Sequence, residues 1–180
     1  LCRGAAKELE IIWARVFSVR PGAYDVVAYV ENSNFNAGAP RLSYTAKLFD
    51  AAGAVIAERN GETFTMPNER FAIFAGNILT GERVPVRGAI EIAPDVLWVK
   101  TQEKKKAIEV KDKVLVGTDK IPKLSAVLSN NELDALRNID VTVVIYDVTG
   151  TPVAVSATKV AKLDRKGSER LFFTWPAPLS

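Results

Sequence analysis

Runs in which apolar and polar residues alternate cover most of the chain. In one such run, Leu42–Leu48, every second side chain is apolar. A period of two is typical of a β-strand that buries one face. The runs are about 5–8 residues long, and turn-forming stretches such as Arg20-Pro21-Gly22 and Thr80-Gly81-Glu82 separate them. The pattern predicts an all-β chain, in which the segment 131–137 forms at most a turn or two of helix.

The pattern repeats after 97 residues. A shift of that size superposes Tyr24–Met66 on Ile121–Leu163 without a gap. In each copy an alternating strand ends at an aromatic residue followed by Asp, two further residues and Gly, as in Phe49–Gly53 and Tyr146–Gly150. An Asp side chain accepts turn amides and Gly adopts positive φ, so both pentapeptides predict a hairpin turn followed by a partner strand.

The repeat divides the chain into two homologous units, residues 8–100 and residues 107–180. The polar stretch Thr101–Lys106 between them is typical of a short solvated connector. Six or seven short strands in about ninety residues are typical of a Greek-key β-sandwich. The predicted fold is therefore all-β, with two tandem immunoglobulin-like Greek-key β-sandwich units. Residues on one face of matching strands should be buried in both units: Leu42, Tyr44 and Leu48, and Ile139, Val141 and Ile145.

The second unit is predicted to lack its last strand. The first unit continues into Val84–Ile92, which predicts a closing strand, whereas the second reaches Ser180 with no equivalent segment. An unfilled place of this kind exposes unpaired backbone groups. We therefore expect that the natural polypeptide continues with a further strand or that another segment fills the place. Val144 and Tyr146 are also apolar, which predicts that the outer face of their strand is covered.

The strand endings resemble a known family. Leu48-Phe49-Asp50 and Ile145-Tyr146-Asp147, each followed by a turn closed by Gly and a second strand, are similar to bacterial FxLYD-type domains. These domains are similar in turn to the immunoglobulin-like late-embryogenesis-abundant sandwiches. The leading Phe of the motif is Ala46 in one unit and Val143 in the other. The resemblance implies a β-sandwich on an exported or envelope-anchored protein and implies no catalytic residues.

The composition excludes much familiar chemistry. The chain has no His, one Cys and one Met, which excludes disulfide frameworks, zinc ribbons, His-dependent triads and Cys-His dyads. The formal net charge of +3 is too small to indicate a polyanionic partner. No cofactor, metal or catalytic residue is predicted.

Four groups of residues are candidates for function, and each has a structural alternative. The carboxylates of Asp50 and Asp147 are better explained as turn acceptors than as catalytic acids. The Asn groups lack the ligand spacing of a calcium loop. The three Trp residues lie in or beside apolar runs, where a ring closes a core or a domain junction more often than it binds a ligand. The Lys concentration has no interleaved aromatic residues to stack on bases, so a solvated face is favoured. The Asn group consists of Asn32, Asn34, Asn36, Asn130 and Asn131. The three Trp residues are Trp13, Trp98 and Trp175. The Lys group consists of Lys104, Lys105, Lys106, Lys111, Lys113, Lys120 and Lys123.

Cys2 is a candidate lipid-anchor residue. A lipoprotein signal ends at a Cys that becomes the acylated first residue, and Cys2 lies in a compatible position, although a stray thiol explains it equally well. No run of 18 apolar residues occurs, so a membrane would be reached only through an anchor at or upstream of Cys2. The favoured hypothesis is a non-enzymatic module, exported and tethered at the cell envelope, that presents loops and sheet edges to a protein or envelope component. Two alternatives stay open: an enzyme with an unrecognised Ser, Lys, Asp or Tyr site, and weak nucleic-acid binding by the basic second unit. The oligomeric state is not predicted.

Overall fold

The computed structural model describes residues 6–103 and 105–179, and every regular element in those ranges is a β-strand. The chain divides into two compact units between Lys105 and Lys106. The strands of the first unit are β1 (Glu10–Arg20), β2 (Ala23–Asn32), β3 (Ala37–Phe49), β4 (Val55–Thr65), β5 (Glu69–Leu79), β6 (Arg87–Ile92) and β7 (Val99–Lys100). Those of the second unit are β8 (Ile108–Val116), β9 (Lys123–Asn130), β10 (Leu136–Tyr146), β11 (Pro152–Leu163) and β12 (Ser168–Thr174). Several strands are longer than the alternating runs predict, since β3 has 13 residues.

The first unit contains two antiparallel sheets. In one sheet β2 lies between β1 and β5, and in the other β3 lies between β4 and β6, while β7 pairs with the start of β3. Both sheets contribute to one core, which contains Val26, Val30 and Ile73 from the first sheet and Leu48 and Ile90 from the second. Alternation along β3 therefore has the predicted cause, because one face of that strand lies against the opposite sheet.

The described part of the second unit has the same order of strands, except that it contains no counterpart of β6 or β7. β9 lies between β8 and β12, and β10 pairs with β11. Its core consists of five buried side chains, Leu128, Val160, Leu163, Leu171 and Phe173, together with half-buried neighbours. The sequence predicts at most a turn or two of helix in the segment 131–137. The structure has bends and no helix there, and β10 begins within the segment.

The two predicted hairpin turns are present. Gly53 and Gly150 both have φ of 81°, which confirms the prediction of positive φ at the same place in each hairpin. The amide of Gly53 donates to Asp50 O (3.0 Å), and the amide of Gly150 donates to Asp147 O (3.1 Å). An added Cβ would meet no other atom within 4 Å at either glycine, so these positions require glycine for backbone conformation rather than for space.

The gapless alignment of the two units is wrong by one residue in β2 and β9. Asn32 and Asn130 make equivalent hydrogen bonds and are 98 residues apart, whereas the hairpin Asp residues are 97 apart. The loop that follows β9 is therefore one residue shorter. A shift of one residue places the other face of a strand in the core, so Val26 corresponds to Leu124 and not to the exposed Lys123.

Full burial is confirmed for two of the six predicted core residues, both in the first unit. Leu42 and Leu48 are fully buried. Tyr44 is half-buried, because its ring lies over Gly61 of β4 and its hydroxyl donates to Phe74 O (3.4 Å) at the edge of the core. Their counterparts in the second unit, Ile139, Val141 and Ile145, are all half-buried. Of the two outward-facing apolar residues, Val144 is half-buried and Tyr146 is exposed, so the outer face is covered at the first position only.

Candidate functional site

The two hairpin carboxylates stabilise their own turns. Asp50 Oδ1 accepts the amides of Ala52 and Ala54, both at 2.9 Å. Asp147 Oδ1 accepts the amides of Thr149 (2.8 Å) and Thr151 (2.9 Å) and the Thr149 hydroxyl (2.6 Å). The hydroxyl of Thr149 is the main reason that the pKa of Asp147 lies below its ordinary value, and the backbone amide of Thr151 adds to the effect. Both side chains therefore accept hydrogen bonds from backbone amides of their own hairpin.

Two of the five candidate Asn residues, Asn32 and Asn130, are buried and connect loops to strand ends by hydrogen bonds. Asn32 Nδ2 donates to Ala37 O (3.0 Å) and Met66 O (2.7 Å), and its Oδ1 accepts the amide of Asn34 (3.0 Å). In the second unit Asn130 joins the ends of β9 and β11 to the loop between β9 and β10. Its Nδ2 donates to Asp134 O, Leu163 O and Asp164 O, and its Oδ1 accepts the amide of Glu132. Because both side-chain oxygens already accept backbone amides, these residues stabilise loops rather than form an open calcium site.

The three Trp residues have different surroundings within their own units. Trp13 packs against Tyr29 across β1 and β2, with ring centroids 6.1 Å apart. Trp98 is half-buried just before β7. Trp175 packs against the core of the second unit, and its Nε1 donates to Val155 O (2.8 Å). The prediction of a core position is confirmed for Trp175.

The basic residues are a solvated set wherever the structure describes them. Lys105, Lys106, Lys111, Lys113, Lys120 and Lys123 are all exposed. Lys111 forms an ion pair with Glu109 at 2.9 Å, so part of the positive charge on β8 is compensated. Lys104 and the candidate anchor Cys2 lie outside the described residues. Within 6–103 and 105–179 no helix is long and apolar enough to cross a membrane.

The polar cluster of Asp25, Asn77 and Arg59 beside β5 is the strongest candidate for a catalytic site, but its contacts have a structural role. Asp25 is half-buried and accepts the amide of Asn77 (2.8 Å), which has φ of 55° at an irregularity between β2 and β5. Burial raises the pKa of Asp25, although the hydrogen bond from Asn77 and the nearby charge of Arg59 oppose the shift. Arg59 donates in turn to Gly76 O. The carboxylate therefore fixes a bulge, as Asp50 fixes a turn.

A shallow groove of the first unit is lined by two carboxylates that form ion pairs. The groove has a volume of about 510 Å³ and lies over β3, β4 and β6, with Glu62 and Glu91 at its margins. Glu62 pairs with Arg41, and Glu91 pairs with Lys47 at 2.6 Å. These ion pairs leave the two carboxylates engaged on an exposed surface.

β6 closes the first unit on one side. It pairs antiparallel with the second half of β3, from Tyr44 opposite Ile92 to Phe49 opposite Arg87. It also packs against β1 and β2 of the other sheet. Ile90 of β6 is 3% exposed and lies in the core. β6 thus satisfies one edge of β3 and covers the apolar side chains of β1.

The corresponding place in the second unit holds no strand among the described residues. The segment of β10 that corresponds to the β6-paired part of β3 is Val141–Tyr146, and β10 pairs only with β11 in that part of the chain. β8, the counterpart of β1, has eight exposed residues of nine, whereas Ala14 and Val16 of β1 pack against the core of the first unit. Leu115 pairs with Leu124 as Val16 pairs with Val26, and it is 36% exposed.

We name this region the open slot: the edge of β10 at Val141–Ile145 on the side away from β11, with Leu115 of β8, which corresponds to Val16, as its floor. Leu115 and the inward side chains of β10 in this segment are aliphatic. Such a surface can accept one more strand, with backbone hydrogen bonds on one side and alternate side chains directed into the core. The role of Leu115 was missed, because β8 carries no clear alternation.

The sequence matches no protein-family model and no curated protein significantly. The interpretation of the site therefore depends on the comparison of the two units with each other.

Proposed function

We propose that this protein is a non-enzymatic binding module that accepts a strand from a protein partner in the open slot. In this proposal both units are immunoglobulin-like Greek-key β-sandwiches of the kind found in FxLYD-type domains, on an exported protein tethered at the cell envelope. The strand order supports the fold assignment, since the connections from β2 to β3, from β4 to β5 and from β5 to β6 all pass between the two sheets.

The observation that carries the proposal is the difference between two otherwise matching units. Where β6 pairs with β3, the inward residues Ala46 and Leu48 are fully buried. Where that strand is missing from the described residues, Val143 and Ile145 remain half-buried. A natural sheet usually protects an edge by charge, proline or a covering segment. Val141–Ile145 contains no charged residue and no proline.

Selection of random peptides on the full chain tests the proposal. Peptides selected on the natural sequence should bind at least about tenfold more weakly to Leu115→Lys, because the variant places a charge that must be desolvated in the floor of the slot. Val114→Lys is the matched control, since Val114 is the preceding residue of β8, is 52% exposed and lies on the opposite face.

Equal binding of the selected peptides to Leu115→Lys and to the natural chain would contradict the proposal. Both variants should first show native amide spectra, and with more than a third of each replaced side chain exposed we expect the fold to survive.

A further inference from the structure

The outer face of the sheet formed by β8, β9 and β12 carries exposed apolar side chains. Leu171 and Phe173 are buried in the core, so Phe172 between them points to the opposite face of β12. Across the sheet Phe172 lies opposite Ser125 of β9, which lies opposite Val114 of β8. Phe172 is 71% exposed and Val114 is 52% exposed. Apolar side chains grouped in this way and bordered by polar residues are typical of an interaction surface.

The exposure of Phe172 has a local cause. Its counterpart in the first unit, Phe74, is half-buried. The ring of Phe74 lies over Gly76, where an added Cβ would be only 2.6 Å from Phe74 Cε1. The residue equivalent to Gly76 in β12 is Thr174, which has a Cβ and a branched side chain. Phe172 therefore cannot lie along its own strand as Phe74 does, and it projects from the sheet.

Three cations border the apolar row. On one side Lys123 lies opposite Val116, which is itself 54% exposed. On the other side Arg170 and Lys111 lie opposite the same residue of β9. Successive rows on one face of a sheet are about 7 Å apart, so both rows of cations lie close to the apolar row. Glu109 pairs with Lys111 at 2.9 Å, and Lys123 and Arg170 carry the remaining positive charge.

The matching face of the first unit has a different distribution of charge. Lys123 corresponds to Asp25, and Val114 corresponds to Arg15. The first face thus has a cation in its central row and a carboxylate in the next row. The second face has an apolar central row with cations on both sides. Only the second arrangement combines apolar contact with attraction to an anionic surface.

We propose that this face of the second unit docks on the surface of an anionic lipid bilayer. We name it the lipid-facing patch; it consists of Val114, Val116 and Phe172 with Lys111, Lys123 and Arg170. The apolar side chains lie among the lipid headgroups, and the cations contact lipid phosphates. Binding at a membrane surface gains from both buried apolar area and attraction to anionic lipids. A soluble polyanion would attract the cations but would leave the apolar row in water.

The proposal goes beyond strand binding and does not depend on the open slot. Leu115, the floor of the slot, precedes Val116 and follows Val114, so it lies on the opposite face of β8. The two surfaces are therefore tested with different variants.

Co-sedimentation of the full chain with lipid vesicles tests the proposal. We expect binding to vesicles of phosphatidylglycerol and phosphatidylcholine in equal parts, and much weaker binding to phosphatidylcholine alone. Added salt should weaken the binding, because it screens the attraction. Phe172→Ser should lower the affinity at least about fivefold, since less apolar area is buried. Lys123→Gln with Arg170→Gln should lower it at least about tenfold, since each cation near an anionic surface contributes about fivefold.

Two control variants make the same chemical changes elsewhere. Phe35→Ser removes a phenyl ring that is 85% exposed in the first unit. Lys159→Gln with Lys162→Gln removes two exposed cations from the other sheet of the second unit. Each control should change the affinity by less than about twofold, because neither change lies in the lipid-facing patch. All the replaced side chains are exposed, so we expect every variant to keep native amide spectra.

Spin-labelled lipid in the same vesicles locates the contact. Amide resonances at Val114, Val116 and Phe172 should broaden more than those elsewhere in the chain. Absence of binding to the anionic vesicles at low salt would overturn the proposal, as would equal binding by the patch variants and the natural chain. If only the Lys123 and Arg170 replacements weaken binding, the apolar row makes no contact with lipid and the proposal is wrong. Binding of single-stranded DNA without binding to vesicles would show that the partner is a soluble polyanion instead.

Discussion

Replacing Asn32 by Asp tests the buried amide link of the first unit. The change is isosteric, but it removes the Nδ2 group that donates to Ala37 O and Met66 O and places a carboxylate oxygen against both carbonyls. Asn32 is fully buried. A fully buried carbonyl that loses its donor costs about 1–3 kcal/mol; these two are partly buried, so together their loss should lower the free energy of unfolding by about 1–6 kcal/mol at neutral pH.

The loss should depend on pH with a defined sign. Burial and the two carbonyls favour the protonated form of the new carboxyl, so its pKa in the folded state should lie above that in the unfolded chain. The protonated form donates one hydrogen bond, which restores roughly half of the interaction. Stability relative to the natural protein should therefore be regained as the pH falls through the folded pKa, and lost again as the pH rises through it.

Amide hydrogen exchange of β2 and β5 in the full chain measures this effect in the first unit. Asn130→Asp should act in the same direction on β9 and β12, because three carbonyls lose their donor there. Asn36→Asp is the control: its side chain is exposed, and the change should stay within about 0.5 kcal/mol. A loss below about 0.5 kcal/mol for Asn32→Asp at neutral pH, or a larger loss without pH dependence, would refute the reasoning.

Three further predictions concern the hairpins and the core. Gly53→Val and Gly150→Val should each cost about 1–3 kcal/mol in chemical denaturation, because valine is strained at positive φ, and unchanged unfolding of both would contradict this. Leu48→Ala should cost about 2–5 kcal/mol, whereas Ile145→Ala should cost distinctly less because Ile145 is half-buried; equal losses would show that the slot is filled in solution. The lowered pKa of Asp147 adds stability above its unfolded pKa that is lost as the pH falls through the folded pKa, so acid should reduce amide protection in the β10–β11 hairpin, and Asp147→Asn should remove that dependence.

Local patterns were enough to predict the two hairpins. Asp50 and Gly53, like Asp147 and Gly150, act on residues within four positions of themselves. Alternation along Leu42–Leu48 also predicted the buried face of β3 correctly, because the period of a strand is a property of its backbone. The turn predictions hold because each Asp and its partners lie close together in the sequence.

The buried Asn residues could not be predicted in the same way. Asn32 binds Met66 O from 34 positions away, and Asn130 binds Leu163 O from 33. Their role depends on where β4 and β11 end in three dimensions. The available signal was the Asn that ends each apolar run, in Val30-Glu31-Asn32 and Leu128-Ser129-Asn130. Aligning these two would have revealed the one-residue gap.

The burial of β10 shows why matching strand patterns do not guarantee matching cores. Leu48 and Ile145 occupy the same place in the repeat, yet only Leu48 is fully buried. Burial of the β3 position requires β6 beside it, and no strand formed by the described residues lies beside the β10 position on the side away from β11. The alternation within one strand predicts which face can be buried. The extent to which the side chains on that face are buried depends on the neighbouring strand.

The second unit nevertheless retains a core, because its other side is closed independently of the slot. β11 packs against β12, as β4 packs against β5 in the first unit. Trp175, directly after β12, packs against the same core and donates from Nε1 to Val155 O of β11, which joins the two sheets on that side. The edge of β10 that borders the slot lies on its opposite side from β11. The proposed binding of a strand there would therefore leave the contacts between β11, β12 and Trp175 in place.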